Sequence, residues 1–337
     1  MTDSAQGDGG NGATVRIVGT GSYLPERTLT NADLAKMVDT SDEWIRTRTG
    51  IRERHIAADD EATSDMAAVA ATRAIEDAGV PVDEIDTLIT ATITPDMVFP
   101  STACLVQERI GATNAFCFDL GAACSGFLYG LEVAKGMILN GTSKNVLLVG
   151  AEKLSAFTDW EDRSTCVLFG DGAGAAVIQA APDGRGIRHA VMGSDGGLGD
   201  LLKIPAGGSR RPASTETVEE RLHYMKMSGN EVFKHAVRCM SDAAQKVLQK
   251  CGLTVDDVTW IIPHQANMRI IQAISSRLGD VEDKLYVNLD TVGNMSAASV
   301  PVALDEAVKA GKVKQGDTLL FVVFGAGFTW GAMVVEW

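Results

Sequence analysis

The stretch "SDMAAVAATRAIEDAGVPVDEIDTLIT" covers residues 64–90, and "DAAQKVLQKCGLTVDDVTWIIPH" covers 242–264. Both read alike: apolar residues at helical spacing, a glycine break, a short acidic step, then a continuous apolar run. Gly79 pairs with Gly252 at the same separation that pairs Asp83 with Asp256, so the chain repeats itself in register. Two copies are too few for a solenoid. They predict two βα halves related by a pseudo-twofold axis.

Working outward, the other parts of the halves also correspond. "SKNVLLVGAE" (143–152) matches "QGDTLLFVVFGAG" (315–327), and "GDGAGAAVIQA" (170–180) matches "GFTWGAMVVEW" (327–337). A helix opened by Cys124, with Phe127, Leu128, Leu131, Ala134 and Ile138 at helical spacing, matches "SAASVPVALDEAVKAG" (296–311). Strands as continuously apolar as "VLLVG" and "LLFVVF" need helices on both faces. The boundary falls near 185, in the turn "APDGRG" (181–186), giving halves at 14–185 and 186–337. The length of 337 residues allows one large domain or two of ordinary size.

Composition narrows the function classes. Hydrophobic residues make up 45% and charged residues 22% of the chain, as in globular proteins. The net charge of −14 argues against non-specific nucleic-acid binding. Residues 1–13, "MTDSAQGDGGNGA", read as a disordered tail without the basic and apolar blocks of a signal peptide. The six cysteines form no CxxC pair and no metal-spaced cluster, which predicts free thiols, a reducing cytosol and no metal site. "TLLFVVFGAGFTWGAMVVEW" (318–337) is long enough to span a bilayer, but its central glycines predict strand, tight turn, strand, and no membrane partner.

In such sheets, sites form where strand ends meet helix starts. Cys124 follows the strand-like run Ala115–Leu120 and is ringed by Gly121, Ala122, Ala123, Ser125 and Gly126. A thiol there faces unpaired N–H groups and the positive end of a helix dipole, which predicts thiolate character. Small neighbours leave room for an acyl chain and for N–H groups to reach an oxyanion. The other cysteines, at 104, 117, 166, 239 and 251, read as small packing residues. His264 ends the strand "WIIPH", and Asn294 lies in the loop before the last long helix. Histidine at a junction and asparagine in a turn also have purely structural uses. Together with Cys124, however, these residues can converge between the halves, where an Asn amide can donate to a developing oxyanion.

These segments resemble a known family. "HQAN" (264–267), "GNMSAAS" (293–299), "FGAGFTWG" (324–331), "SDEWIRTRTGIRER" (41–54) and the Cys124 segment resemble β-ketoacyl-acyl-carrier-protein synthase III, over about residue 14 to the C-terminus. The resemblance implies an α/β thiolase-like fold, with central mixed sheets in an αβαβα layering. It implies that a starter acyl-CoA, with acetyl-CoA the first choice, acylates Cys124. Malonyl-acyl-carrier-protein then loses CO₂, and the enolate attacks the acyl group to give a 3-oxoacyl product that initiates fatty acid synthesis. His264 and Asn294 would donate to the enolate oxygen, and the N–H groups of Cys124 and Ala326 would hold the tetrahedral oxyanion. Trp44, Arg48, Arg163, Phe233 and Asn267 would bind CoA, Arg269 the carrier protein, with Lys234 and Arg238 as weaker candidates. Phe99, Leu154 and Leu168 would shape the acyl pocket, with Phe99 crossing into a homodimer partner. No cofactor is implied, since the CoA and carrier-protein thioesters are substrates. Two departures stand out: Ala326 where the family often has glycine, and Met295 where it usually has threonine.

Four other readings compete. A thiolase would need a second cysteine in the C-terminal glycine-rich loop, and none follows Cys251. Elongating synthases pair cysteine with two histidines, whereas Asn294 stands here at the third position. A starter enzyme of secondary metabolism with another acyl group or acceptor, and an inert partner subunit of the same fold, also stay open. The inert subunit would lack the nucleophile that this chain has.

Overall fold

The computed structural model describes residues 14–337, and the tail expected at 1–13 lies outside them. The main elements of the first half are β1 (Thr14–Tyr23), α1 (Asp42–Thr49), α2 (Thr63–Ala78), β2 (Thr87–Ala91), α3 (Thr102–Ile110), β3 (Phe116–Leu120), α4 (Gly126–Leu139), β4 (Val146–Glu152) and β5 (Gly172–Ala181). The second half has β6 (Ile187–Ser194), α5 (Gly229–Cys251), β7 (Trp260–Pro263), α6 (Met268–Leu278), α7 (Ser299–Lys309), β8 (Thr318–Gly325) and β9 (Thr329–Glu336).

The helices of the repeat stop for the same reason. Gly79 caps α2 at φ 63° and Gly252 caps α5 at φ 69°, left-handed angles that glycine adopts without steric penalty. The acidic steps that follow are single 3₁₀ turns, Val82–Glu84 and Val255–Asp257. Then come β2 and β7, each parallel to its half's central strand, β4 or β8.

The first sheet runs β1-β5-β4-β2-β3 and the second runs β7-β8-β9-β6, both mixed. Taken from opposite ends, four positions match strand for strand. The counterpart of β3 has shrunk to one parallel bridge between Ile261 and Leu285. The last two strands pair antiparallel from Thr318–Glu336 to Gly325–Thr329, so the apolar C-terminal run is a hairpin.

Alternation along the central strands sorts the layers. In β4, Val146 and Leu148 face a core containing Phe127 and Leu131 of α4 and Val300 and Leu304 of α7. Leu147 and Val149 face α2 and α3 on the other side. In β8, Leu319, Phe321 and Val323 join the same central core, while Leu320, Val322 and Phe324 face α5 and α6. The order is therefore helix, sheet, helix, sheet, helix. The middle layer is α4 and α7, and its core draws on both halves. That shared layer holds the beginnings of α4 and α7 against the ends of β4 and β8.

Candidate active site

Cys124 sits in a single 3₁₀ turn, Ala123–Ser125, between β3 and α4. Ala123 adopts φ 47°, unusual for a residue with a β-carbon. The C-terminal hairpin clamps this turn from the other half: Thr329 Oγ1 donates to Ala122 O at 3.0 Å. Neither the Cys124 N–H nor the Ala326 N–H has a backbone acceptor, which leaves both available to an anionic oxygen. The thiolate expected from the helix start is corrected by the structure. Burial pushes the Cys124 thiol up to about 12, and the Glu152 carboxylate adds to the rise, outweighing the Ser296 hydroxyl and the N–H dipole that favour the anion. The nucleophile rests as a neutral thiol.

His264 extends the parallel pairing of β7 with β8, its N–H donating to Val322 O at 2.8 Å. Gln265 braces the following turn: it donates to Pro263 O at 2.8 Å and accepts from Asn288 N at 3.2 Å. The imidazole is buried, Nδ1 has no partner, and desolvation pushes its pKa down to about 3. His264 is thus a neutral ring at physiological pH. Asn294 is fixed by a parallel bridge to Phe169, with Asn294 N donating to Leu168 O at 2.9 Å. Its Oδ1 accepts from Ser296 N at 2.9 Å, which leaves the amide NH₂ to donate elsewhere.

Cys124, His264 and Asn294 line one cavity of about 360 Å³, a tunnel to the surface past Phe233, Asn267 and Trp44. Beyond the thiol lies a second cavity of about 210 Å³, walled by Ile93, Leu154, Ile204, Met225 and Ala326. Cys124 faces both spaces. A thiol between a tunnel that reaches the surface and an apolar chamber suits a carrier-borne acyl chain held past the reacting sulfur.

The tunnel mouth carries the aromatic and basic residues. The Trp44 ring lies between two guanidinium groups, Arg48 at 4.5 Å and Arg163 at 4.8 Å from its centroid. Arg163 also donates to Asp39 O at 2.7 Å and stays outside the tunnel wall. Asn267 caps α6 by accepting from Arg269 N at 2.8 Å, and the Arg269 side chain lies over Phe233 at 5.8 Å. Lys234 is paired with Glu231, and Arg238 lies against His235; neither lines the tunnel.

Of the residues expected at the acyl pocket, Leu154 lines the chamber, whereas Leu168 and Phe99 lie elsewhere in this chain, and only the Leu168 assignment is corrected. Leu168, whose carbonyl accepts from Asn294 N at 2.9 Å, lines the tunnel and not the chamber. Phe99 touches neither space and is 82% exposed. Residues that sequence reasoning missed include Phe169, which lines both cavities, and Ile204 and Met225, which close the chamber. They carry no motif, and no spacing rule joins positions 93, 204 and 225. Both departures are accommodated. Met295 is fully buried in an apolar cluster with Val292, Ala298 and Val302, away from the cavities. Ala326 avoids the positive φ that Gly327 takes at 136°.

A half-buried thiol with neutral imidazole and amide donors, set between two βα halves, defines a condensing enzyme of thiolase-like fold. Comparison with known proteins narrows the class. The family described as 3-Oxoacyl-[acyl-carrier-protein (ACP)] synthase III matches residues 118–196, and its C-terminal counterpart matches 248–337. A beta-ketoacyl-[acyl-carrier-protein] synthase III of Caldanaerobacter subterraneus subsp. tengcongensis is 57% identical, covering 95% of this chain and 97% of its own. The Clostridioides difficile protein of the same name is also 57% identical, covering 95% and 98%. The crystal structure of 3-oxoacyl-[acyl-carrier-protein] synthase III from Aquifex aeolicus VF5 superposes with a TM-score of 0.89 at 49% identity, over 96% of this chain and all of that one. The chain belongs to the β-ketoacyl-[acyl-carrier-protein] synthase III family.

Proposed function

We infer that the chain is a 3-oxoacyl-acyl-carrier-protein synthase that starts fatty acid synthesis. It takes an acyl group from acyl-CoA onto Cys124 and condenses it with malonyl-acyl-carrier-protein. The observation that carries this reading is the convergence of Cys124, His264 and Asn294 on one tunnel that continues into an apolar chamber. In the first half-reaction Cys124 Sγ attacks the thioester carbonyl, and the N–H groups of Cys124 and Ala326 receive the developing oxyanion. In the second, loss of CO₂ from the malonyl carboxylate leaves an enolate. Its oxygen meets the neutral His264 ring and the Asn294 amide, and its carbon attacks the acyl-Cys carbonyl. Neutral donors suit this step: they stabilise charge as it appears without holding the starting carboxylate.

The CoA nucleotide is assigned to Trp44, Arg48 and Arg163, with Phe233 and Asn267 along the pantetheine. Arg269, at the tunnel mouth of a chain with net charge −14, is assigned to the acidic carrier protein. Leu154, with Ile204 and Met225, bounds a small acyl group such as acetyl. A homodimer is also proposed. It is supported by the open edge of β3, on which Phe116 is exposed, and by the exposed apolar run Met97, Val98 and Phe99 of the loop after β2. A cytoplasmic setting is proposed from six free cysteines. Among the described residues no helix is long and apolar enough to cross a membrane. A priming β-ketosynthase of the R1128 polyketide pathway has the same fold, with a TM-score of 0.88, but at 39% identity. The starter-enzyme reading for secondary metabolism is correspondingly less favoured.

Intact-mass spectrometry tests the reading in two stages. Incubation with acetyl-CoA should add one acetyl group on Cys124, and malonyl-acyl-carrier-protein should then remove it as 3-oxobutanoyl-acyl-carrier-protein. A chain that gains no acyl mass would contradict it.

A further inference from the structure

Beneath the nucleophile, on the side away from the tunnel, lies a carboxyl group with no role in the steps above. Glu152 ends β4 and is fully buried. Its Oε2 accepts from Thr94 Oγ1 at 2.6 Å, Ile93 N at 3.1 Å and Thr92 Oγ1 at 3.2 Å. Its Oε1 has no partner. The Ser296 hydroxyl adjoins both the Cys124 thiol and the Glu152 carboxyl, close enough to favour the charged form of each. The approach is looser than a formed hydrogen bond, since Ser296 Oγ is also buried without a partner. Ser296 is held there at φ 49°, with its N–H on Asn294 Oδ1. Buried polar atoms are rarely left unpaired, and an orphan hydroxyl beside an orphan carboxylate oxygen and a thiol needs an explanation.

We propose that Glu152, reached through Ser296, takes the Cys124 proton during acyl transfer and returns it when the acyl group leaves. As Sγ bonds to the acyl carbon, its proton passes to Ser296 Oγ, whose own proton passes to Glu152 Oε1. The carbon–sulfur bond to CoA breaks, and the CoA thiolate takes one proton from solvent. In condensation the electron pair released with CO₂ forms the new carbon–carbon bond, and the acyl-Cys bond breaks to leave a thiolate. That thiolate recovers the stored proton from Glu152 through Ser296, and both groups return to their starting states.

The surroundings fit this use. Burial pushes Glu152 up to about 7, so it can change state near neutral pH. No cation among the described residues pairs with it. The Lys153 ammonium is bound to the carbonyls of Ala58 and Glu61, while Asp96 bonds Ser64 and Asp171 bonds Ser155 and Ala57. The titratable group facing Glu152 is Cys124 itself, and His264 lies across the sulfur on the tunnel side.

The inference rests on the acyl-transfer reading, and one experiment separates the two. Single-turnover acylation by acetyl-CoA is followed by quench and intact mass between pH 5.5 and 9, for the wild type, Glu152→Gln and Ser296→Ala. The wild-type rate should rise through about pH 7 and level off above it. Glu152→Gln keeps an oxygen for Thr94 and Ile93 but cannot take a proton. It should acylate about 10²-fold more slowly, with the rise near pH 7 gone. Ser296→Ala, which removes a hydroxyl with no formed bond, should be slowed in the same direction and keeps the test decisive if Glu152→Gln fails to fold. Folded variants at the wild-type rate, or slowed with an unchanged pH profile, would overturn the relay alone. A wild type that takes no acyl group would overturn the acyl-transfer reading itself.

Discussion

Gly325 backs directly onto the nucleophile: a β-carbon at that position would lie 2.7 Å from the Cys124 backbone nitrogen. The last residue of β8 thereby presses the C-terminal half against the turn that carries the thiol. The Cys124 and Ala326 N–H groups come from opposite halves, so this close approach sets the spacing of the oxyanion donors. Gly325→Ala should force the hairpin away from the Cys124 turn. Overpacking of this kind destabilises by about 1–3 kcal/mol, and a displacement of about 1 Å at reacting atoms can lower a rate about 10²-fold. The expected result is a modestly lower melting temperature with acylation reduced far more; a variant of wild-type activity would contradict the assigned geometry.

Cys124 is the thiol that faces both cavities. Cys124→Ser should abolish acyl transfer from acyl-CoA, while Cys104→Ser and Cys251→Ser should leave it intact. Peptide mapping after acetylation reads the outcome directly, and an acyl group on any other cysteine would refute the assignment.

His264 and Asn294 face charge that appears during decarboxylation. Loss of one such donor lowers a rate about 10²–10³-fold. His264→Ala and Asn294→Ala should still accept an acyl group but fail to release CO₂ from malonyl-acyl-carrier-protein. The pKa of His264 is lowered to about 3, so the ring is neutral above that pH and charges only below it. Decarboxylation by a pre-acylated enzyme should therefore show no imidazole titration between pH 5 and 8. A bell centred near 6.5 would mean that the ring is not desolvated as described.

Arg269 stands on the first turn of α6, over Phe233 and beside the tunnel mouth. Arg269→Glu should raise the KM for malonyl-acyl-carrier-protein by at least tenfold, about 1.4 kcal/mol at 25 °C. The effect on acyl-CoA should be smaller, because CoA meets the same wall without a carrier-protein surface. Equal damage in both steps would assign Arg269 to the shared pantetheine path.

Phe99 is the exposed aromatic of a loop that ends at α3, and it leaves its own chamber untouched. If a second copy receives it, Phe99→Ala should relax preference toward longer acyl-CoA substrates while Cys124 stays reactive. Sedimentation at assay concentration should give a dimer. A fully active monomer would defeat this assignment.

The sequence by itself determined the repeat, because helix-stopping glycines and apolar periodicity are local properties. Gly79 and Gly252 end equivalent helices, and the runs 146–149 and 319–324 are buried on both faces, as their unbroken hydrophobicity requires. Cys124 and His264 could be picked out because each sits where an apolar run gives way to a helix, and Asn294 because it lies in the loop before the last long helix. Tertiary structure alone decided the rest. The chamber is walled by residues 93, 154, 204 and 225, which come together only when separate loops fold over the sheet ends. The neutrality of the thiol and of the imidazole also came from the fold. A helix start predicts thiolate, but removal from water acts on Cys124 more strongly than the few N–H dipoles beside it. Glu152 had no signature at all: it closes a strand of apolar residues, and only the packing of β4 under the Asn294 loop brings its carboxyl to the underside of the reacting sulfur.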